Sequence, residues 1–340
     1  MTSRELVIRT LNQEPVPRAP RDLWAPVGAA WLPADELAEI NVRYPSDIVT
    51  IESPIQAGKR LHAKQGKAGE YTDAWGCVWQ EGEAGAPPQL KHAPLTEASK
   101  LAAYQPPAAL LEHGRFTRAN KTCSTTSRFV LAWSEVRPLD RLRMLCGESA
   151  LVHLARGKDG IRKLLATLHE SACKELERWA ATEVDAVAFR DDWGTSDGLL
   201  VSPEMWRDLF RPLYREYCNI LHAKDKFVFF LSGGNILDIF GDLVKLEIDA
   251  IHCQFDLMNP QRLAKRYRGR ITFWGGMDPQ QLREPGTPNQ FRESVLAVRR
   301  LFDFGSGGVI AQCPWEPGVR LQTIAAFFEH WLSPLPMHAG

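Results

Sequence analysis

Val184-Asp185-Ala186-Val187-Ala188-Phe189-Arg190-Asp191-Asp192-Trp193-Gly194 decides how the rest of this 340-residue chain is read. Its first six residues are nearly all apolar, with no alternation of polar side chains. Such a run is a strand covered on both faces, the pattern of a parallel sheet. It then breaks abruptly into an arginine, two carboxylates and a tryptophan. Upstream, Ile161, Leu164, Leu165, Leu168, Ala172, Leu176 and Trp179 recur at three- and four-residue spacing, one apolar helix face. Downstream, Ser202-Pro203 starts a helix that runs to about Ala223, with Ser202 as N-cap and Pro203 in the first turn. Pro212 lies inside that helix and should kink it.

The same alternation continues to the C-terminus. Phe227–Leu231, Ala250–Gln254, Ile271–Trp274 and Gly308–Gln312 read as strands. Between and after them, Ile236/Ile239/Phe240/Leu243/Val244, Phe291/Val295/Val298/Leu301/Phe302 and Leu321/Ile324/Ala325/Phe328/Trp331 form helical stripes. Toward the N-terminus, Arg21–Trp24, Ile48–Ile51 and Phe129–Trp133 supply three more strands. The total is eight, the number of a (β/α)8 TIM barrel of the α/β class. A doubly wound open sheet is the alternative, but the Gly-rich turn expected after its first strand is missing.

We therefore read residues 1–340 as one barrel domain. An amphipathic helix precedes it, an insertion over about 56–125 covers the C-terminal mouth, and residues 333–340 form a loose tail. Within the insertion, Glu70–Gln80 reads as a hairpin, and residues 81–110 are rich in Pro, Ala and Gly.

Composition narrows the function. Lys+Arg and Asp+Glu both number 41, so no basic surface is expected for nucleic acid or acidic membrane. No apolar run reaches the roughly 18 residues of a membrane span. The charged N-terminus is not a secretory signal. Seven cysteines without CxxC pairs suggest reduced thiols in a cytoplasmic protein.

In barrels of this type the chemistry sits at the C-terminal strand ends. Those positions hold Asp22 and Trp24, Glu52, Trp133, Arg190-Asp191-Asp192-Trp193, Ser232-Gly233-Gly234-Asn235, Gln254, Gly275-Gly276-Met277-Asp278, Cys313, Trp315 and Glu316. Two adjacent carboxylates after an apolar strand are costly if both are buried and charged. One of Asp191 and Asp192 should therefore carry a raised pKa and serve as acid, the other staying ionised. The plainer alternative is a helix cap and an arginine partner. The 232–235 turn could offer amides to an anion, or could simply join strand to helix with Asn235 as N-cap. Cys313, a lone cysteine, is by residue type more a packing group than a nucleophile. His252 and Cys253 are adjacent in a strand and point opposite ways, which argues against a shared metal. The tryptophans, eleven in all, suit a flat aromatic ligand or an aromatic core.

Pro20-Arg21-Asp22-Leu23-Trp24, Tyr71–Trp79 (YTDAWGCVW), Asp191-Asp192-Trp193-Gly194, Leu200–Trp206 (LVSPEMW), Gly234-Asn235-Ile236 and Ala311-Gln312-Cys313 together resemble the uroporphyrinogen decarboxylase-like superfamily. The likeness is closest to a bacterial branch with PRDLW and DDWG signatures and runs from about residue 4 to 332. It implies a (β/α)8 barrel with one of two chemistries. These are cofactor-free decarboxylation of pyrrole acetates, and methyl transfer between a corrinoid and an acceptor, usually with zinc. By analogy it also implies a homodimer.

The departures from the family pattern carry information. Zinc-dependent relatives have His-Ser-Cys-Gly-Asn after the fifth strand. Here Leu231, Gly233 and, after the next-but-one strand, Gly276 stand at ligand positions and offer zinc no lone pair. Aligning Trp31-Leu32-Pro33 with the end of the RQAGRYLP segment of true uroporphyrinogen decarboxylases puts Pro26 and Ala30 where its arginines stand, which removes counter-charges for a poly-anionic tetrapyrrole.

The resulting expectation is a metal-free carboxy-lyase acting on an aromatic or heteroaromatic acid, with no cofactor. Asp191 and Asp192 are its catalytic candidates. Trp24, Asp73, Trp75, Arg190, Trp193, Ser232, Gly234, Asn235, Gln254, Asp278, Cys313 and Glu316 are candidates for substrate binding. Two alternatives stand beside it: a methyltransferase partnered by a corrinoid protein, and a barrel that binds a small molecule without catalysis.

Overall fold

The apolar segments become strands in the computed structural model, which describes residues 1–25, 31–52, 69–82, 88–157 and 159–333. In chain order they are β1 (Arg21–Trp24), β2 (Ile48–Ile51), β3 (Glu70–Thr72), β4 (Val78–Gln80), β5 (Gln89–His92), β6 (Phe129–Trp133), β7 (Ala186–Arg190), β8 (Phe227–Leu231), β9 (Ala250–His252), β10 (Thr272–Trp274) and β11 (Val309–Pro314). Eight of them form one parallel sheet in the order β1-β11-β10-β9-β8-β7-β6-β2. Its two end strands are joined where the Asp47 amide, just before β2, donates to the Arg21 carbonyl at 2.8 Å. The sheet is the (β/α)8 barrel of the α/β class, not an open doubly wound sheet.

Two compact units divide the chain. The first comprises Met1–Val49, Ser127–Phe129 and Glu247–Gly340; the second comprises Thr50–Thr126 and Val130–Leu246.

In the first unit, β1 pairs with β11 in a register that sets Asp22 beside Gln312 and Leu23 beside Cys313. The N-terminal helix Ser3–Leu11 opens on a capping box between Thr2 and Glu5. Asp47 is the electrostatic centre of this region. Its buried carboxylate accepts from both Arg18 Nη atoms at 2.7 and 2.8 Å, from the Arg21 amide at 2.7 Å and from Ser3 Oγ at 2.6 Å. Burial alone would raise its pKa, but the Arg18 guanidinium, the Arg21 amide and the Ser3 hydroxyl outweigh burial and hold it below the ordinary aspartate value.

In the second unit, β6, β7 and β8 lie side by side, with Ala186 to Arg190 opposite Phe227 to Leu231. Ala186, Val187, Ala188 and Phe189 are fully buried, as a strand covered on both faces requires. Ser202 caps its helix through the Met205 amide. The distortion expected near Pro212 is a π-helical turn over Trp206–Phe210, immediately upstream of the proline. A widened turn absorbs the missing N–H without ending the helix. The predicted hairpin is β3–β4, and β5 adds a third antiparallel strand to it. β5 went unrecognised because three of its four residues are exposed, so it carries no apolar pattern.

Pro26 and Ala30, most of the insertion's first stretch and nearly all of the C-terminal tail lie outside the described residues. No helix among the described residues is long and apolar enough to cross a membrane.

Candidate active site

The loops after β7 and β8 touch backbone to backbone. The Gly194 amide donates to the Gly233 carbonyl at 3.1 Å, and the Asn235 amide to the Thr195 carbonyl at 2.7 Å. A Cβ on Gly194 would lie 2.5 Å from the Asn235 nitrogen, and one on Gly234 would lie 2.1 Å from the Gly194 carbonyl carbon. Gly234 also has φ +75°. The glycines are there because two main chains meet. Of the two readings of this turn, the packing fits the one in which it joins strand to helix. The Gly233 amide donates to Asp192 Oδ1 at 2.7 Å and that of Asn235 is spent on Thr195. Asn235 caps the next turn through Oδ1, which accepts from the Leu237 amide at 3.1 Å. Ser232 is buried, and its hydroxyl accepts from the Trp193 amide at 3.1 Å.

The two adjacent aspartates separate into different environments. Asp191 is fully buried. Its carboxylate accepts from the Leu139 and Asp140 amides at 3.0 and 2.8 Å and from the Tyr214 hydroxyl at 2.7 Å. Those amides begin the helix Pro138–Cys146, whose own N-cap, Arg137, makes no side-chain cap. Asp191 thus caps that helix from a distant strand, accepting from two amides that have no partner within the helix. Burial first, and then the nearby Asp140 carboxylate, push its pKa up to about 8. Burial likewise raises Asp140, against the pull of Arg137. Asp192 remains about one-third exposed, with Arg190 Nη2 3.8 Å from its Oδ2 and the Arg190 side chain half exposed. Of the two, Asp192 is the carboxylate that a ligand can reach. Asp191 is enclosed by the amides and the phenol from which it accepts.

Other candidates in this unit make internal contacts. Asp73 organises the hairpin turn. Its Oδ1 accepts from the Trp75 and Cys77 amides, each at 2.9 Å, and its Oδ2 from Trp79 Nε1 at 2.8 Å. Trp193 is fully buried, edge-on to Phe210 at 4.6 Å, and donates to Tyr214 Oη at 3.2 Å. It is a core residue and presents no wall to a ligand. Trp75 lies flat against the Arg141 guanidinium, 3.6 Å from ring centroid to Cζ. Arg141 is in turn held by Glu135 at 2.9 Å, while Arg115 pairs with Glu175 at 2.9 Å. Both ion pairs are buried, so each charge is compensated where water cannot reach.

The first unit holds a second acidic position. Asp22 is buried between two indoles, with Oδ2 accepting from Trp24 Nε1 at 2.8 Å and Trp274 Nε1 at 2.7 Å. Burial raises its pKa to about 6 despite both donors. The Trp24 ring stands 4.8 Å from that of His252, and His252 Nδ1 lies 2.7 Å from the Trp274 carbonyl oxygen. The Nε2 of buried Gln312 makes no hydrogen bond among the described residues. From the sequence Asp22 is recognisable only as a strand-end residue, and nothing there marks His252 or Gln312 as its neighbours. The signal in the sequence is a carboxylate two residues before Trp24 at a strand end.

Cys313 is fully buried, and burial raises its thiol well above the ordinary range, which fits packing rather than attack. Cys253 behaves the same way. Asp278 caps the helix Pro279–Arg283 by accepting from the Gln280 amide at 2.8 Å. Glu316 pairs with Arg283 at 2.6 Å, and Gln254 is exposed. At one lost zinc-ligand position, Gly276 has φ +122°, a conformation L side chains rarely adopt, and an added Cβ would meet Val298 Cγ1 at 3.1 Å. With Leu231 and Gly233 at the others, the donor set does not fit zinc there.

None of the curated proteins matches this chain. Among solved structures, a methyltransferase from Methanosarcina mazei superposes with a TM-score of 0.73 at 15% sequence identity, over 97% of this chain and 98% of that one. At that identity the likeness concerns the fold. Residues 73–331 match the family model of uroporphyrinogen decarboxylase (URO-D), about three-quarters of the chain, so the protein belongs to the uroporphyrinogen decarboxylase family of enzymes.

Proposed function

We propose that the protein is a metal-free carboxy-lyase acting on an aromatic or heteroaromatic carboxylic acid. The observation that carries this reading is the accessible pair Asp192–Arg190 at the C-terminal end of β7, with Asp192 anchored by the Gly233 amide. In this reading Arg190 holds a carboxylate of the substrate by charge and hydrogen bonding. Asp192 faces the positive charge that forms when the ring takes a proton from solvent water, which leaves hydroxide, at the carbon bearing the leaving group. The bond to carbon dioxide then breaks and its electron pair restores the ring. A carboxylate fixed beforehand at that point stabilises the cationic intermediate without reorganising. Asp191 contributes by holding the chain on which Asp192 sits.

Carbon dioxide release measured across a panel of aromatic and heteroaromatic acids tests this. A substrate turned over by the native protein and lost in Asp192→Asn supports it; undiminished turnover in that variant sinks it.

The superfamily resemblance, with a methyltransferase from Methanosarcina mazei sharing the fold, favours a second reading, methyl transfer from a corrinoid protein to a small acceptor. Because the zinc donors of such enzymes are replaced here, activation of the acceptor would fall to Asp192 as a base. Mixing with methylcobalamin separates the two: demethylation, seen in the corrin spectrum, selects this reading, and an unchanged spectrum rejects it.

A further inference from the structure

Two helices of the second unit bring together three donor groups of different kinds. His169 and Cys173 stand one turn apart on the helix Asp159–Ala180, and Glu216 faces them from the helix Arg211–His222. His169 Nε2 lies 3.0 Å from Glu216 Oε2 and 3.9 Å from Cys173 Sγ. The candidate ligand atoms all fall within 4.8 Å of one another. Zinc bonds of about 2.0 Å to nitrogen or oxygen and 2.3 Å to sulfur, set at tetrahedral angles, need donors roughly 3.3–3.5 Å apart. Closing on one ion therefore asks for movements of about 1 Å, within the reach of side-chain rotation.

A second feature points the same way. His169 Nδ1 lies 3.1 Å from Tyr217 Oη, and the Tyr217 side chain is fully buried and so held in place. With the proton on Nδ1 and donated to that oxygen, Nε2 keeps its lone pair for an ion on the side of Glu216, while Cys173 Sγ stands about equally far from the two ring nitrogens, 3.7 Å from Nδ1 and 3.9 Å from Nε2. Metal-binding histidines are oriented by this kind of outer hydrogen bond. The histidine is one-fifth exposed and the glutamate more than half, so an ion can enter from solvent.

We propose that His169, Cys173 and Glu216 form a binding site for zinc or a similar borderline divalent cation, tying the two helices together and leaving a fourth position for water. A mixed set of nitrogen, sulfur and oxygen donors selects zinc or cobalt over magnesium or calcium, which take oxygen donors. None of the three residues belongs to the strand-end loops that carry Asp192 and Arg190, so this site stands whichever reaction the barrel performs.

The test is a cobalt(II) titration of the full-length, reduced, metal-stripped protein. One equivalent should produce a thiolate-to-cobalt charge-transfer band with tetrahedral d–d absorption, and zinc should bleach it. Cys173→Ser should abolish the band, and Glu216→Gln should weaken cobalt binding by at least about tenfold. The exposed glutamate can be changed without harm to the fold, so a loss of binding there cannot be charged to unfolding. No thiolate band at one equivalent overturns the proposal. So does a band that survives in Cys173→Ser, which would place the ion on another cysteine.

Discussion

The Tyr214 hydroxyl donates to Asp191 Oδ2 at 2.7 Å, with both side chains fully buried. Tyr214 also accepts from Trp193, so a chain of donors runs from the indole through the phenol to the carboxylate that caps the helix Pro138–Cys146. Tyr214→Phe keeps the ring but leaves the carboxylate one donor short. We expect a loss of about 1–3 kcal/mol in urea unfolding, the cost of leaving a buried polar group one partner short.

The neighbouring aspartates should separate under mutation. Asp192→Asn retains an oxygen for the Gly233 amide and should leave stability within about 0.5 kcal/mol of the native protein, as for most partly exposed sites. Turnover should fall by about two to four orders of magnitude once a substrate is found. Asp191→Asn should instead lower stability, because an amide satisfies two backbone donors and a phenol less well than a carboxylate. Urea midpoints and steady-state rates of the two variants decide this.

Stability should decline as pH rises across two windows. A carboxyl whose folded pKa lies above its unfolded value binds more protons in the native state, so its stabilising effect is present in acid and lost as pH climbs to the folded value. For Asp22 the window runs from about 4 to about 6, and for Asp191 from about 4 to about 8. The difference in melting temperature between native protein and Asp22→Asn should change across the first window and level off above it. A flat difference would show that burial does not raise Asp22.

Asp47 acts with the opposite sign. Its folded pKa is depressed, so its contribution is present above the unfolded value near 4 and vanishes as pH falls through the folded one. Asp47→Ala strands Arg18 and frees the Arg21 amide where β1 and β2 are joined. A loss of about 3 kcal/mol is expected at neutral pH, the scale for breaking a buried pair. Denaturant unfolding measures it, and Asp47→Asn should recover only part.

Gly234→Ala places a methyl group against the Gly194 backbone at a left-handed φ. Neither main chain can retreat without breaking the Gly194–Gly233 and Asn235–Thr195 bonds. Overpacking and strain together should cost about 2–4 kcal/mol, and displacement of Asp192 should lower turnover as well. A variant as stable and active as the native protein would show that the two loops do not meet.

The barrel was legible in the chain because each strand is a short apolar run, and water-avoiding runs separated by helical stripes have few ways to be covered. β1, β2, β6 and β8 match their predicted limits residue for residue. The exposed strand β5 was not legible, since nothing apolar marks it. Asp191-Asp192 was recognisable as a place of chemistry from charge set against an apolar strand. Which aspartate turns inward was not. The donors that hold Asp191 come from Leu139, Asp140 and Tyr214, between 23 and 52 positions away. Local sequence encodes what a segment avoids or prefers, whereas the partner of a buried charge is settled only when distant segments are packed side by side. For the same reason the 232–235 glycines could be read as an anion nest until the chain from Gly194 was found lying against them.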